Sequence, residues 1–178
     1  MTSANVYIGT SLDGFIARKD GDFGWLMKFA DAGAIESYNE FIANIDVMVI
    51  GRGTFETVLG FPSWPYDKPV FVLSSTIKKV PDSLSGKATI TSMEPSEVLQ
   101  HLSAEGFKAA YIDGGKVIQS FLAADLIDSL IIATIPILIG SGIPLFGSLD
   151  TDVNFEHVQT STYPNGLVRS YYKRKREN

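Results

Sequence analysis

Residues 47–56 read VMVIGRGTFE, a continuous apolar run that ends at a glycine and leads directly into a helical pattern. A run without polar alternation is typical of a central strand of a parallel sheet, because such a strand is covered on both faces. Gly51 and Gly53 allow the backbone to approach a ligand closely, and Thr54 is a candidate cap for the following helix. The stretch therefore predicts a buried strand, a glycine turn and a helix N-terminus, in that order.

Two further stretches share this design. VFVLSST, residues 70–76, is an apolar strand that ends in three hydroxyl side chains, and YIDGGK, residues 111–116, passes through two glycines to a helix start. Ligands of open α/β sheets bind beyond the carboxyl ends of the parallel strands. The free N–H groups of helix N-termini, together with Arg52, suit phosphate groups. Neither G-x-G-x-x-G nor G-x-x-x-x-G-K-[ST] occurs, so neither a standard Rossmann site nor a P-loop is predicted.

Apolar β-rich runs alternate with helical periodicity along almost the whole chain, which favours an α/β fold. Strands are predicted at Ala4–Thr10, Asp46–Gly51, Pro69–Ser74, Ala88–Thr91, Ala109–Asp113, Ser129–Pro136, Asn154–Thr162 and Leu167–Lys173. Helices are predicted at Ala32–Asn44, Thr54–Leu59, Ser96–Ala104 and Lys116–Ala123. Asn165-Gly166 is a strong tight-turn signal between the last two strands, so the mostly parallel sheet should end in an antiparallel hairpin.

The composition limits the class of protein. The chain has 178 residues, 45% of them hydrophobic, which suits a single domain over residues 1–178. The absence of cysteine excludes disulfides, a thiolate nucleophile and cysteine-ligated zinc, and two histidines make a metal centre improbable. A net charge of -5 disfavours nucleic-acid binding, and the basic run Lys173–Arg176 is interpreted as a solvated tail.

The N-terminal residues lack the basic and apolar regions of a signal peptide. The richest apolar run, Leu126–Ile139, is interrupted by polar residues and is shorter than the roughly 20 residues needed to span a bilayer. A cytoplasmic location without membrane contact is therefore expected.

Five motifs, in this order, resemble dihydrofolate reductase and, more closely, the RibD C-terminal domain family, the reductase domain of bifunctional riboflavin-biosynthesis proteins. They are SLDGFIA at 11–17, VMVIGRGTFE at 47–56, VLSS at 72–75, YIDGGKVIQSFL at 111–122 and PILIGSGIPLF at 136–146. The resemblance covers nearly the whole chain. It implies a three-layer dihydrofolate-reductase-like fold with helices on both faces of a mixed sheet, and NADPH as the cofactor.

The resemblance also implies positions for the parts of the cofactor. The 2′-phosphate would lie among Arg52, Ser74 and Ser75, the pyrophosphate and its ribose at Gly53, Thr54, Gly114, Gly115, Lys116 and Val117, and the nicotinamide against Gly9, Ile16 and Ala17. A cation beside two hydroxyls suits a ribose phosphate, so the residue chemistry agrees with the resemblance.

Two acids are candidate catalytic residues. Asp113 ends a strand just before the diglycine and is either a proton donor or substrate anchor, or a cap of the following helix. An ungapped comparison places Ile35 where folate reductases carry their pterin-binding acid, and a slip of one residue would place Glu36 there; the alternative is an exposed helix acid. The riboflavin reductases carry His and Arg in this helix, but Ala32–Asn44 contains neither.

The expected activity is NADPH-dependent hydride transfer to a small heteroaromatic, ribosyl-aminopyrimidine or pterin-like acceptor. A reductase of another small carbonyl or nitro compound and a non-catalytic NADPH-binding protein remain alternatives. Trp25 is either an active-site or a packing residue, and Tyr38, Phe41, Phe61, Trp64 and Tyr66 are either pocket lining or core. The aliphatic segments 130–139 and 140–146, together with the resemblance, predict a homodimer.

Overall fold

The chain forms ten strands and five helices over residues 1–176, which a computed structural model describes. The strands are β1 (Ser3–Ser11), β2 (Phe15–Ala17), β3 (Val47–Gly51), β4 (Val70–Leu73), β5 (Ala88–Thr91), β6 (Ala109–Asp113), β7 (Ser129–Ile135), β8 (Ile143–Pro144), β9 (Phe155–Thr162) and β10 (Val168–Arg174). The helices are α1 (Gly24–Met27), α2 (Ala32–Ala43), α3 (Arg52–Leu59), α4 (Pro95–Ala104) and α5 (Gly115–Ala123), with a 3-10 turn at Asp82–Leu84.

Eight strands form one sheet in the order β5-β4-β3-β6-β1-β7-β10-β9. All pairs from β5 to β7 are parallel, whereas β10 pairs antiparallel with both β7 and β9. The turn between β9 and β10 closes with a hydrogen bond from the Tyr163 N–H to the Leu167 carbonyl, and Gly166 has a φ of +88°. The predicted mixed sheet with an antiparallel C-terminal hairpin is confirmed.

Helices cover both faces of the sheet, because successive residues of the central strands point to opposite sides. Val47 and Val49 of β3 pack in one cluster with α4 and α5, which contributes the fully buried Phe121. Met48 and Ile50 pack in a second cluster with Phe55 of α3 and with α2. The continuous apolar run at β3 is therefore buried on both faces, and the three-layer architecture is confirmed.

The sequence patterns did not reveal a two-stranded ribbon formed by β2 and β8. Both strands are very short, and their pairing depends on Asp13, which accepts hydrogen bonds from the Ser11 hydroxyl at 2.6 Å and from the Gly140 N–H at 2.8 Å. These bonds hold segment 11–17 against segment 136–146. The first and last of the quoted motifs are thus brought together by contacts more than 100 residues apart in the chain.

The expectation that Thr54 caps its helix is wrong. Helix α3 begins at Arg52, and its N-cap is Gly51, which has extended backbone angles and no capping side chain. The chain turns into the helix as soon as it leaves the sheet, so Thr54 lies inside the first turn. Its hydroxyl faces Gly114 instead.

Candidate functional site

The N-termini of α3 and α5 meet at the carboxyl edge of the sheet. A Cβ atom on Gly114 would lie 2.6 Å from the Thr54 hydroxyl oxygen, and one on Gly51 would lie 2.9 Å from a methyl group of Val117. Gly114 also has a φ of +97°, a conformation that side-chain-bearing residues rarely adopt. Glycine at these positions therefore allows the two helix starts to lie in contact.

Neither of these helix starts has a side-chain cap. Their first N–H groups thus carry unsatisfied partial positive charge, which favours an anion. A Cβ on Gly53 would have no atom within 4 Å, so the backbone of α3 is open at this point. Gly114 thus lies against the start of α3, and Gly115 and the exposed Lys116 follow it in the chain; helix starts of this kind suit a pyrophosphate.

A hydroxyl-rich cationic patch adjoins the start of α3. The Arg52 guanidinium donates to the Thr76 hydroxyl at 3.2 Å, and the Thr76 and Ser74 hydroxyls lie 3.2 Å apart. Arg52 also forms an exposed ion pair with Glu56 at 3.5 Å. Arg52 and Ser74 are thus brought together through Thr76, and a cation among hydroxyls suits a sugar phosphate.

Two members of this patch were missing from the residues carried over by resemblance. Thr76 is the hydroxyl that contacts Arg52, and Lys78 donates to the Ser75 carbonyl at 2.9 Å. The run of three hydroxyl residues followed by two lysines in SSTIKK, residues 74–79, was the available signal. Ser75 itself is exposed.

A further group of residues is the one that we expect to contact the nicotinamide. Part of this group lies beside the diglycine Gly114-Gly115. A Cβ on Gly115 would lie 3.1 Å from Ile16, so the β2–β8 ribbon packs directly on this glycine. Leu26 of the segment after β2 packs against Gly9, where it leaves no room for a side chain. Ala17 is buried beside Gly142. The structure therefore places Gly9 on β1 of the main sheet and places Ile16 and Ala17 on β2 of the ribbon.

Asp113 ends β6 on the same sheet face as Tyr111. Its carboxylate accepts a hydrogen bond from the Gly114 N–H at 2.8 Å, and Gly114 rather than Asp113 is the N-cap of α5. Burial raises the pKa of Asp113 to about 6, although this hydrogen bond opposes the shift. The residue as a whole is half-buried. Asp113 is therefore a half-buried carboxyl group whose pKa lies above its ordinary value.

The charge of Asp113 acts on three tyrosines, Tyr38, Tyr66 and Tyr111. Burial, followed by the negative charge of Asp113, raises the pKa of Tyr38 to about 12. The same two causes raise the pKa values of Tyr66 and Tyr111. These three phenols remain protonated at neutral pH, so they are neutral hydrogen-bonding groups around one acid.

Glu36 lies on the exposed side of α2. Residues two positions apart are about 200° apart around a helix, so Glu36 points away from the side on which Tyr38 lies, whereas Ile35 shares the Tyr38 side. Ile35 is 50% exposed. The structure therefore brings Tyr38, and not Glu36, toward Asp113; the catalytic role of either acid stays a prediction.

The aromatic side chains divide between core and site. Phe41 packs in the second core cluster, 5.1 Å from the Tyr111 ring, and Trp25 is buried with Ile135 and Leu167. Trp64 contacts Tyr66 at 5.2 Å between ring centroids. Within the part of the chain that the structure describes, the buried indole N–H groups of Trp25 and Trp64 have no acceptor. Tyr66, on the loop after α3, lies close enough to Asp113 for the charge of that carboxylate to raise the pKa of the tyrosine.

Phe61, on the same loop after α3, has an exposed side chain. Its ring lies 6.5 Å from that of Phe23, so the loop after α3 touches the turn that precedes α1.

Across residues 1–176, no three His, Cys, Asp or Glu side chains are grouped so as to hold a metal ion. None of the helices described has the length and apolarity that crossing a membrane requires. His101 pairs with Glu105 at 3.3 Å on α4.

Together, the sheet order, the two joined helix starts and the flanking ribbon define an α/β domain of the dihydrofolate-reductase type. A dihydrofolate reductase from Enterococcus faecalis, in complex with NADP(H), has the same fold, with a TM-score of 0.65 and 18% sequence identity over 98% of this chain and 97% of that one. The chain belongs to the RibD C-terminal domain family, whose model matches residues 4–169.

Closer relatives have names that assign no reaction. The uncharacterized protein YwjB of Bacillus subtilis is 32% identical over 172 residues, which cover 94% of this chain and 96% of YwjB. The crystal structure of a Shewanella sp. PV-4 protein, provisionally named as a riboflavin biosynthesis protein, has a TM-score of 0.88 and 40% identity, covering 98% of this chain and all of that one. These two relatives match this chain over 94% and 98% of its length.

Proposed function

We propose that this protein is a reductase that uses NADPH to transfer a hydride to a small planar acceptor. The observation that carries the proposal is the contact between two uncapped helix starts beside the Arg52, Ser74 and Thr76 patch. One part suits a pyrophosphate and the other a ribose phosphate, which are the two anionic groups of this dinucleotide.

Different residues of this chain would hold different parts of the cofactor and of the acceptor. The N–H groups at Gly53 and Gly115 would hold the pyrophosphate, and Arg52 with Ser74 and Thr76 would select the 2′-phosphate. When bound, the nicotinamide supplies the hydride. An acceptor C=N or C=O bond that receives this hydride on carbon would also need a proton on its heteroatom. Asp113 would deliver the proton or hold the acceptor.

The test is a titration of the purified protein with NADPH and NADH, followed by fluorescence of Trp25 and Trp64. NADPH should bind about 10- to 100-fold more tightly than NADH, because charge-assisted bonds to the extra phosphate are the strong ones. Arg52→Ala should remove this preference and leave NADH binding unchanged. Lys87→Ala is a matched control, because Lys87 is an exposed cation beyond the patch, at the turn before β5.

Failure of both dinucleotides to bind would withdraw the reductase proposal. A second outcome is equal affinity for NADPH and NADH, unchanged in Arg52→Ala. This result would support dinucleotide binding but would contradict the proposed 2′-phosphate site. Oxidation of bound NADPH by a panel of pterin, pyrimidine, carbonyl and nitro compounds, followed at 340 nm as about one equivalent per turnover, then tests the catalytic part.

A further inference from the structure

A groove of about 350 Å³ lies between α2 and the strands β7 and β10. Its α2 wall contains Ser37, Glu40 and Phe41, and its strand wall contains Ile131, Arg169 and Tyr171. Both walls carry a charged side chain and an aromatic one. The groove therefore combines the two kinds of surface that small-molecule sites use.

This groove is separate from the site at the carboxyl edge of the sheet. Ser3, Ala109 and Ser129, which also line it, are the first residues of the parallel strands β1, β6 and β7. Asp113 ends β6, and Arg169 lies on β10, which is three strand spacings away in the sheet, or about 14 Å. A ligand of the groove would thus bind apart from the proposed cofactor.

Arg169 differs from the other arginines of the chain. Each of the other four forms an ion pair with a carboxylate: Arg18, Arg52, Arg174 and Arg176. The Arg169 guanidinium instead donates to the Ser37 hydroxyl and, at 3.3 Å, to the Ser161 hydroxyl, and no acid of residues 1–176 forms an ion pair with it. Hydroxyl groups accept hydrogen bonds but carry no charge. Arg169 is therefore a half-buried cation whose charge has no counterion among the described residues.

The charges around Arg169 favour a ligand with a single negative charge. The other charged residues on the lining segments, or next to them in the chain, are Glu36, Glu40, Asp46, Lys108, Asp128 and Lys173. Asp46 accepts a hydrogen bond from the Lys108 N–H, and Asp128 is paired with Arg176. The Lys173 ammonium lies 5.8 Å from the centre of the Tyr171 ring, so it adds positive charge to the β10 wall. Glu40 faces the groove from α2, and it would repel a phosphate dianion more strongly than a carboxylate.

Apolar side chains lie beside this cation. Ile131 and Tyr171 are paired across β7 and β10, and Phe41 packs on Tyr7 of β1 at 5.3 Å between ring centroids. Ile131, Tyr171 and Phe41 are all half-buried. At the far end of the groove, the Ser129 hydroxyl donates to the Asn5 carbonyl oxygen at 2.7 Å, so these two polar groups already have partners. The groove thus offers a ring-sized apolar surface next to Arg169.

We infer that this groove is a second binding site, for a small aromatic carboxylic acid. The carboxylate binds the Arg169 guanidinium, which has more N–H donors than the two that the hydroxyls of Ser37 and Ser161 receive. Such a pair forms charge-assisted hydrogen bonds and supplies the counterion that the chain itself does not provide. The aromatic ring of the ligand packs between Phe41 and Tyr171. The site is independent of the proposed reductase function.

The test is an NMR titration of the full-length, isotope-labelled chain without any dinucleotide. The probes are phenylacetate, its neutral counterpart phenylacetamide, acetate and phenyl phosphate. Phenylacetate should bind about 10- to 100-fold more tightly than phenylacetamide, because only the acid forms hydrogen bonds between charged groups. Acetate lacks the ring and phenyl phosphate is a dianion, so both should bind more weakly than phenylacetate. The amide signals that move should belong to residues 37–44 and 169–173.

Substitutions then identify the cation. Arg169→Gln should weaken phenylacetate about 10- to 100-fold and leave phenylacetamide unchanged, because only the charged pair is lost. Arg52→Gln is the matched control, since it makes the same change at the proposed cofactor patch, and it should leave the affinity for phenylacetate unchanged. Glu40→Gln should strengthen phenylacetate about 2- to 5-fold by removing a like charge. Glu40 is exposed, so this variant tests the site even when Arg169→Gln does not fold.

Several results would overturn the inference. Equal affinity for phenylacetate and phenylacetamide would exclude a charged contact, and tighter binding of phenyl phosphate than of phenylacetate would exclude a carboxylate site. Loss of phenylacetate binding in Arg52→Gln, with no effect of Arg169→Gln, would move the ligand to the cofactor patch. No binding of phenylacetate at millimolar concentration, or no gain in Glu40→Gln, would also contradict it.

The mass of the chain by light scattering tests a different occupant of the groove. It should be the same for Arg169→Gln and for the unsubstituted protein. A fall in mass in Arg169→Gln would show that a second copy of the chain contacts Arg169, and would overturn the ligand site. NADPH binding is measured separately, so the failure of this inference and the failure of the reductase proposal can be distinguished.

Discussion

The burial of the Asp113 carboxyl group has a consequence for stability. Its pKa of about 6 in the folded chain exceeds the ordinary value of 3.8. Between these two pH values the folded state binds more protons than the unfolded state, so the free energy of unfolding falls as the pH rises from about 4 to about 6. Above pH 6 the destabilisation is complete and constant.

Replacing Asp113 by asparagine should therefore stabilise the protein at pH 7.5. The asparagine oxygen can still accept from the Gly114 N–H, but it has no charge to desolvate. The gain should reach up to about 3 kcal/mol at pH 7.5 and vanish near pH 4. Urea unfolding at pH 4, 6 and 7.5 measures it, with Asp82→Asn as an exposed control. A stability difference that does not change with pH would show that the folded carboxyl is not perturbed.

Gly114 and Gly53 form a matched pair of glycines at the two helix starts. Gly114→Ala places a Cβ 2.6 Å from the Thr54 hydroxyl oxygen at a φ of +97°, and should destabilise the fold by about 2 to 4 kcal/mol. Gly53→Ala meets no atom within 4 Å in a helical position, and should stabilise by up to about 1 kcal/mol. Urea unfolding compares the two; equal effects would contradict the described contact between α3 and α5.

At the scale of single elements, α2 carries the residue that faces Asp113, and its start is held by Asp31. The Asp31 carboxylate accepts a hydrogen bond from the Ala34 N–H at 2.9 Å, which is an N-cap. Asp31→Ala should lower the free energy of unfolding by about 1 kcal/mol, whereas Asp31→Asn or Asp31→Ser should restore most of it. Chemical unfolding of the three variants is the measurement; equal loss in all three would mean that the carboxylate acts by charge alone.

Helix α4 shows how far local signals suffice. Glu94 and Glu97 form a capping box, and Pro95 is the first helical residue, so the helix predicted to begin at Ser96 begins one residue earlier. Helix α1 and strands β2 and β8 have no such signal. Four residues or fewer cannot display a period, and these elements form because Asp13 and the packing of Trp25 hold them in place.

At the scale of the whole molecule, segment 136–149 leaves apolar surface uncovered. Leu138 is 68% exposed and Phe146 is 52% exposed on neighbouring parts of this segment. Exposed apolar patches on soluble domains are often contact surfaces, so we expect a homodimer. Light scattering at micromolar concentration should give twice 19.4 kDa.

Leu138→Glu should shift this mass to that of one chain, because a charge on the contact surface must be desolvated on association. Met93→Glu is the control, since Met93 is also exposed, at 37%, but lies before α4. A mass of one chain for the unsubstituted protein would contradict the homodimer. An unchanged mass in Leu138→Glu would place the contact on another surface.

The sequence by itself determined the eight strands of the main sheet, four of the helices, the hairpin at Asn165-Gly166 and the two strand-to-helix turns at Gly51 and Gly114. Periodicity, capping and turn chemistry are local properties, so they can be recognised within a few residues. The resemblance to the family, and not a local pattern, grouped Arg52 with Ser74 before the fold was known.

Only the tertiary structure decided which of these turns touch. Thr54 faces Gly114, Thr76 joins Arg52, the β2–β8 ribbon packs on Gly115, and Tyr38 rather than Glu36 lies toward Asp113. These relations depend on strand order and on the rotation of α2 about its axis, which follow from packing between residues far apart in the chain. A shift of one residue along a helix moves a side chain by about 100° around the helix axis. No local pattern in the sequence of α2 shows whether Tyr38 or Glu36 lies on the side toward Asp113.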